Sequence, residues 1–181
     1  MHIRTTRLVA VAALTIVTAL VGNARAEAPK PGDDAPQFKM TGSDGKEYSL
    51  EQFKGKKPVV LAWFPKAFTR GCTAECKNMK ERGDAIREFD VAYFTASVDT
   101  VEDNTKFAES LGLDFPILSD PGKNVAKAYG VVHEGRPVPE RWTFYIGPDG
   151  KILAVDQKVQ AAQHGEDIAK KLEALGVKKK G

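Results

Sequence analysis

The apolar residues of this chain come in short blocks divided by polar, Gly- and Pro-rich punctuation, and the blocks alternate in kind. Val59-Val60-Leu61-Ala62-Trp63-Phe64 is a continuous apolar run with β-branched and aromatic members. Such a run suits a strand buried on both faces, in a sheet covered by helices. Pro65 ends it. Val91 to Val98 repeats the signal and closes at Asp99. Shorter strands are predicted at Gln37 to Thr41, Glu47 to Leu50, Phe115 to Leu118, Trp142 to Ile146 and Ile152 to Asp156. Ser43-Asp44-Gly45 and Gly147-Pro148-Asp149-Gly150 read as the turns between paired strands. Between strands the period changes. Thr69 to about Phe89 is rich in Ala, Glu, Lys, Arg and Met, and predicts a helix beginning near Cys72. Val101 to Leu111, Asn124 to Tyr129 and Gln163 to Leu175 predict three more. In the last, Ile168, Leu172 and Leu175 recur at helical spacing and Gly176 stops the helix. Strands alternating with helices, then a hairpin and a closing helix, predict an α/β fold: a mixed central sheet flanked by helices.

The first 26 residues predict something other than fold. Arg4 and Arg7 make a positive start, and Leu8 to Gly22 is apolar or small apart from Thr15 and Thr18. Asn23-Ala24-Arg25-Ala26 then supplies an A-x-A cleavage pattern. The expected division is a signal peptide at 1–26 and one domain at 27–181, with an exported, periplasmic product. The apolar run is short of the roughly 20 residues a membrane span needs. A retained anchor is the alternative; after cleavage no membrane association is expected. This division changes the charge. The leader holds Arg4, Arg7 and Arg25 of the 27 basic residues and none of the 24 acids, so the remainder balances. Nothing in that balance suggests a nucleic-acid surface. Lys178-Lys179-Lys180 reads as a solvated tail.

The whole chain has two cysteines, Cys72 and Cys76. A disulfide scaffold would show more, at distant positions. A purely structural bridge between them would close a short loop and stabilise little. The pair therefore points to redox or metal chemistry. It sits in Pro65-Lys66-Ala67-Phe68-Thr69-Arg70-Gly71-Cys72-Thr73-Ala74-Glu75-Cys76, between a buried strand and a helix. Cys72 thus falls near a helix N-terminus, where unpaired N–H groups favour a thiolate. A thiolate attacking a peroxide must be helped by groups that meet the charge on the leaving oxygen. The Thr69 hydroxyl is placed for sulfur and peroxide alike. Pro65 can wall off water without offering an N–H.

Pro65, Thr69 and Cys72 spell P-x-x-x-T-x-x-C, and the longer string resembles the Q-type (bacterioferritin-comigratory) peroxiredoxins. The similarity extends through Phe115-Pro116-Ile117-Leu118-Ser119-Asp120-Pro121, Val125 to Val131 and Arg141-Trp142-Thr143-Phe144-Tyr145-Ile146. The resemblance implies a thioredoxin-like fold and a thiol-dependent peroxidase. It implies a site of Cys72, Thr69, Arg141, Pro65 and Cys76, with no cofactor and no metal. Its partners would be a peroxide, hydrogen peroxide or an organic hydroperoxide, and a thioredoxin-like or other thiol reductant acting on a monomer. Cys72 would pass through a sulfenic acid, and Cys76 would condense with it to an intramolecular disulfide. Two departures stand out. Arg70 and Phe68 replace a proline and a polar residue common in that subfamily. Cys76 follows the nucleophile by four residues, where the usual resolving cysteine follows by five.

Two other readings share the fold. Cys72-x-x-x-Cys76 is also the spacing of Sco-type copper chaperones, where a histidine just before the strand at Trp142 would complete a soft site. This chain has Glu140 and Arg141 there, leaving His133 as the substitute. A thioredoxin-type dithiol oxidoreductase wants C-x-x-C, which is absent. His133 and His164 read as solvated, Trp63 and Phe64 as core, Arg70 as a rim residue. Glu75 reads as a first-turn acid favoured by the helix dipole, with a modest site role.

Overall fold

In the computed structural model, which describes residues 28–181, the chain winds around one seven-stranded sheet. The leader expected at 1–26 lies outside the described residues. The strands are β1 (Lys39–Gly42), β2 (Glu47–Ser49), β3 (Val59–Trp63), β4 (Ala92–Ser97), β5 (Ile117–Ser119), β6 (Thr143–Ile146) and β7 (Ile152–Asp156). The helices are α1 (Arg70–Glu81), α2 (Gly83–Arg87), α3 (Val101–Leu111), α4 (Asn124–Ala128) and α5 (His164–Ala174). Sheet order is β2-β1-β5-β4-β3-β6-β7. The centre, β5-β4-β3, is parallel, and antiparallel strands flank it on both sides. The expected α/β, thioredoxin-like architecture with a mixed sheet is what forms.

The unbroken apolar run in β3 explains its central place. Val59, Leu61 and Trp63 enter the core on one face, with Phe94, Leu118, Tyr129 and Phe144. Val60 and Ala62 enter the opposite core with Met79 of α1, Ile86 of α2 and Ile168 and Leu172 of α5. Alternation with period two puts each set on its own side. Each fully buried side chain of this size costs about 2–5 kcal/mol when cut back to alanine.

Two expectations shift. The strand read at Gln37 to Thr41 runs from Lys39 to Gly42. The long helix read from Thr69 to Phe89 is broken at Arg82. The break lies where α5 begins. A Cβ on Gly165 would stand 2.7 Å from the Cβ of Arg82. Gly165 donates its N–H to Asn78 Oδ1 at 2.8 Å, and Arg82 pairs with Glu166 at 2.7 Å. The end of α1 is thus stitched to the start of α5, and the chain turns there.

Sheet order then positions the site. β3 pairs antiparallel with β6, and Trp63 donates its N–H to the Trp142 carbonyl at 2.8 Å. This places Arg141, just before β6, beside the loop that leaves β3 at Pro65.

Candidate active site

Thr69 is the extended N-cap of α1, with φ −85° and ψ 151°. The first helical bond runs from Thr73 N–H to the Thr69 carbonyl at 2.9 Å. Cys72 lies just before that bond, among amides that have no acceptor inside the helix. Its side chain is fully buried. Arg141 donates from Nη2 to Cys72 Sγ at 3.3 Å. A fixed cation and a helix N-terminus therefore converge on one sulfur.

The guanidinium is held from behind. Its Nη1 forms an ion pair with Glu75 Oε2, one helical turn after Cys72. Glu75 has no solvent exposure. Its other oxygen, Oε1, lies 2.8 Å from His164 Nδ1, in hydrogen-bond range although the contact is not aligned as a straight hydrogen bond. His164 Nε2 shares a hydrogen bond of 2.8 Å with Thr143 Oγ1. Burial pushes the His164 imidazole down to about 4, and the Arg141 charge adds to this against Asp156 and Asp167. The reading of His164 as a solvated side chain is corrected here: the ring is 1% exposed. His164 stands four residues before Ile168 on the face that Ile168 and Leu172 bury, so the helical spacing carried a signal of burial, while its partners are far away in sequence.

The loop before α1 is pinned by Asp99, whose Oδ2 accepts the Ala67 N–H at 2.8 Å. Thr69 is exposed, and its hydroxyl donates to the Lys66 carbonyl at 2.9 Å. Its proton is therefore engaged, and its oxygen lone pairs face whatever binds there. Pro65 and Arg141 border an open cleft of about 490 Å³. Arg70 is exposed, as a rim residue should be. Phe68 is 57% exposed and adopts a left-handed φ of 62°, with its ring 5.0 Å from that of buried Phe107.

Cys76 is also fully buried, among Phe64, Ala67, Phe107 and Ile117. Both thiols are free. Burial pushes the Cys76 thiol well up, and the nearby Cys72 charge raises it further. Cys76 is thus a protonated thiol in this state.

Residues 31–155 match the AhpC/TSA family. The chain belongs to that family. Among curated relatives, peroxiredoxin Bcp of Escherichia coli K12 is 32% identical over 145 residues, covering 77% of this chain and 92% of the relative. The crystal structure of peroxidoxin BcpB from Mycobacterium tuberculosis is 31% identical with a TM-score of 0.73, covering 81% of this chain and 97% of that one. A PrxQ from Xylella fastidiosa has a TM-score of 0.76 at 24% identity over 83% of this chain and 99% of that one, a likeness of fold. The chain is a Bcp/PrxQ-like peroxiredoxin, and its chemistry is that of a thiol peroxidase.

In this peroxiredoxin Arg141 meets Cys72 at the sulfur and shares a cleft with Pro65, Thr69 caps the helix that carries Cys72 with its hydroxyl on the Lys66 carbonyl, and Cys76 follows one turn along α1. Sequence reasoning placed Glu75 as a helix-dipole partner with a modest site role; the structure makes it the counterion of Arg141. The copper reading would need His133 as its third ligand. His133 sits in a loop, with Nε2 3.3 Å from Glu140 Oε1, and Glu140 also pairs with Arg136. Among the described residues no group of three or more His, Cys, Asp or Glu side chains is arranged to hold a metal ion.

Proposed function

We propose that this peroxiredoxin reduces hydrogen peroxide and organic hydroperoxides with Cys72 as the attacking thiolate and Cys76 as the resolving thiol. The observation that carries the reading is the Arg141 Nη2 contact to Cys72 Sγ at 3.3 Å, at the first turn of a helix. Sulfur attacks the terminal peroxide oxygen as the O–O bond breaks. The products are a sulfenic acid and an alkoxide, or hydroxide, which takes a proton to leave as an alcohol or water. Thr69 accepts a hydrogen bond from the peroxide O–H, while Arg141 meets the charge that develops on the leaving oxygen. Pro65 closes one side of the approach to water.

Cys76 then attacks the sulfenic sulfur, expelling water and forming the Cys72–Cys76 disulfide. Two electrons and two protons from an external thiol reductant restore both thiols. In a helix, Cβ atoms at i and i+4 are roughly 5–6 Å apart, against about 3.8 Å in a disulfide. The first turn of α1 must therefore open, which also releases Cys76 from the burial that keeps it protonated. Phe68 supports the wider substrate range, since an exposed aromatic ring beside the nucleophile offers apolar surface to an alkyl group. The leader reading supports an exported enzyme with a reductant outside the cytoplasm, and the Q-type resemblance supports a monomer.

Stopped-flow mixing of reduced wild-type and Cys72→Ser proteins with peroxide tests the reading. Rapid consumption is expected from the wild type alone. Equal rates would refute the assignment of Cys72.

A further inference from the structure

We propose that His164 is the positioning residue of the Arg141–Cys72 pair: one ring grips both the carboxylate that aims the guanidinium and the strand that carries it. This rests on the reading of Cys72 as the peroxide-attacking thiolate.

The geometry is two-pronged. His164 Nδ1 stands 2.8 Å from Glu75 Oε1, and Nε2 is 2.8 Å from Thr143 Oγ1. Glu75 Oε2 holds Arg141 Nη1. Thr143 opens β6, two residues after Arg141. The ring therefore reaches Arg141 by both of its attachments, the side-chain counterion and the backbone strand. Glu75, Thr143 and His164 are all buried to 1% exposure or less.

Proton assignment follows from the partners. A neutral imidazole has one donor and one acceptor. An ionised carboxylate only accepts, so Nδ1 carries the proton on the side facing Glu75, in a close polar contact and not an aligned hydrogen bond. Nε2 then accepts from the Thr143 hydroxyl. Burial keeps the ring neutral near pH 7. The ring is itself located independently, because the next residue, Gly165, donates its N–H to Asn78 Oδ1 on α1.

A carboxylate held by one partner rotates about its last torsion. A carboxylate held at both oxygens does not, and its guanidinium partner stays fixed. The contact from Arg141 to the sulfur is directional, so turning or shifting the guanidinium weakens it. A ring serving only to fill space would be replaced without loss by an apolar side chain of similar volume.

The experiment compares His164→Leu, which keeps bulk and removes both polar contacts, with His164→Asn, whose amide nitrogen falls near the Nδ1 position. Two quantities are read on folded protein. One is the second-order rate with hydrogen peroxide. The other is the titration midpoint of the Cys72 thiolate by ultraviolet absorbance, in a Cys76→Ser background so that one thiol titrates. His164→Leu is expected to slow the peroxide step about 30-fold, within the roughly hundredfold that a 1 Å misplacement can cost. It should raise the thiolate midpoint by about one unit. His164→Asn should recover most of both. Wild-type values in His164→Leu would overturn the proposal by marking a core filler, and equal damage in Leu and Asn would overturn it by showing that the Nδ1 contact is not what positions the pair. Should His164→Leu not fold, Thr143→Val carries the test: a loss of about threefold and a smaller upward midpoint shift are expected, and unchanged values overturn it. Cys72→Ser run in parallel separates the two readings: peroxide consumption without Cys72 refutes the nucleophile assignment whatever the His164 variants do.

Discussion

Gly71 leaves the space that the Arg141 guanidinium fills. A Cβ at position 71 would stand 3.2 Å from Nη2, the nitrogen that donates to Cys72 Sγ. That is tighter than ordinary contact, and Arg141 has little room to give because Glu75 holds its other nitrogen. Gly71→Ala is expected to move Nη2 off the sulfur and slow the peroxide reaction about tenfold. Stability should not fall, since alanine is favoured over glycine in a helix by up to about 1 kcal/mol. Peroxide rate and melting temperature measured on one preparation check this. An unchanged rate would mean that the guanidinium tolerates a neighbouring methyl.

Phe68 gives a prediction about substrate choice. Its ring is exposed and packs at a tilt against Phe107. An alkyl hydroperoxide would lay its chain against that ring, and hydrogen peroxide has nothing to lay there. Contacts of this kind contribute about 0.5–1.5 kcal/mol. Phe68→Ala should lower kcat/KM for a bulky organic hydroperoxide about fivefold and leave hydrogen peroxide nearly unaffected. Parallel loss for both substrates would reduce Phe68 to a packing role for the loop.

The stitching of α1 to α5 predicts how resolution proceeds. Asn78 and Arg82 are tied to Gly165 and Glu166 and Glu75 meets His164, so the contacts with α5 begin beyond residues 69–72. Oxidation to the Cys72–Cys76 disulfide should therefore melt the first turns of α1 and spare its end. Amide exchange of the oxidised protein is expected to show lost protection over about residues 73–77 and retained protection at 79–82. Intact mass and peptide mapping of the same sample should find the disulfide in wild type and a sulfenic or over-oxidised Cys72 in Cys76→Ser. Wild-type turnover in Cys76→Ser, with no internal disulfide in the wild type, would assign resolution to an outside thiol.

Acid should weaken the fold through His164. The imidazole has an ordinary value of 6.5 when unfolded and is lowered to about 4 by burial in the native protein. Between those values the unfolded chain binds the extra proton, so acid favours unfolding. The contribution is fully present above about pH 6.5 and is lost as pH falls through about 4. Its size is on the order of 3 kcal/mol. Denaturant titrations at several pH values should show stability falling across this window, with a shallower fall in His164→Asn. A wild-type stability flat from pH 7 to 4 would contradict it.

The strands were legible because each carries its own signal. Val59 to Trp63 is apolar on both faces and became the central strand; Ile152 to Asp156 and the turn before it fell where the turn residues indicated. The break at Arg82 was not legible, because it comes from Gly165, which packs on α1 from the far end of the chain. The site divides in the same way. Pro65, Thr69, Cys72 and Cys76 share one short stretch and were visible as a motif, and Arg141 was visible through resemblance to a family. Glu75 was seen with the wrong partner, and His164 was read as solvated.

The sequence by itself determined the local chemistry: a buried strand, a proline stop, and a cysteine in the first turn of a helix. These follow from side-chain period and from backbone groups within a few residues. Which groups face that cysteine was decided only in three dimensions. The pairing of β3 with β6 brings Arg141 to the sulfur, and the packing of α5 on α1 brings His164 to Glu75. Such contacts depend on the order of strands in the sheet and on which helix faces share a core. Those are set by the summed burial of the whole chain, to which no single segment carries the key.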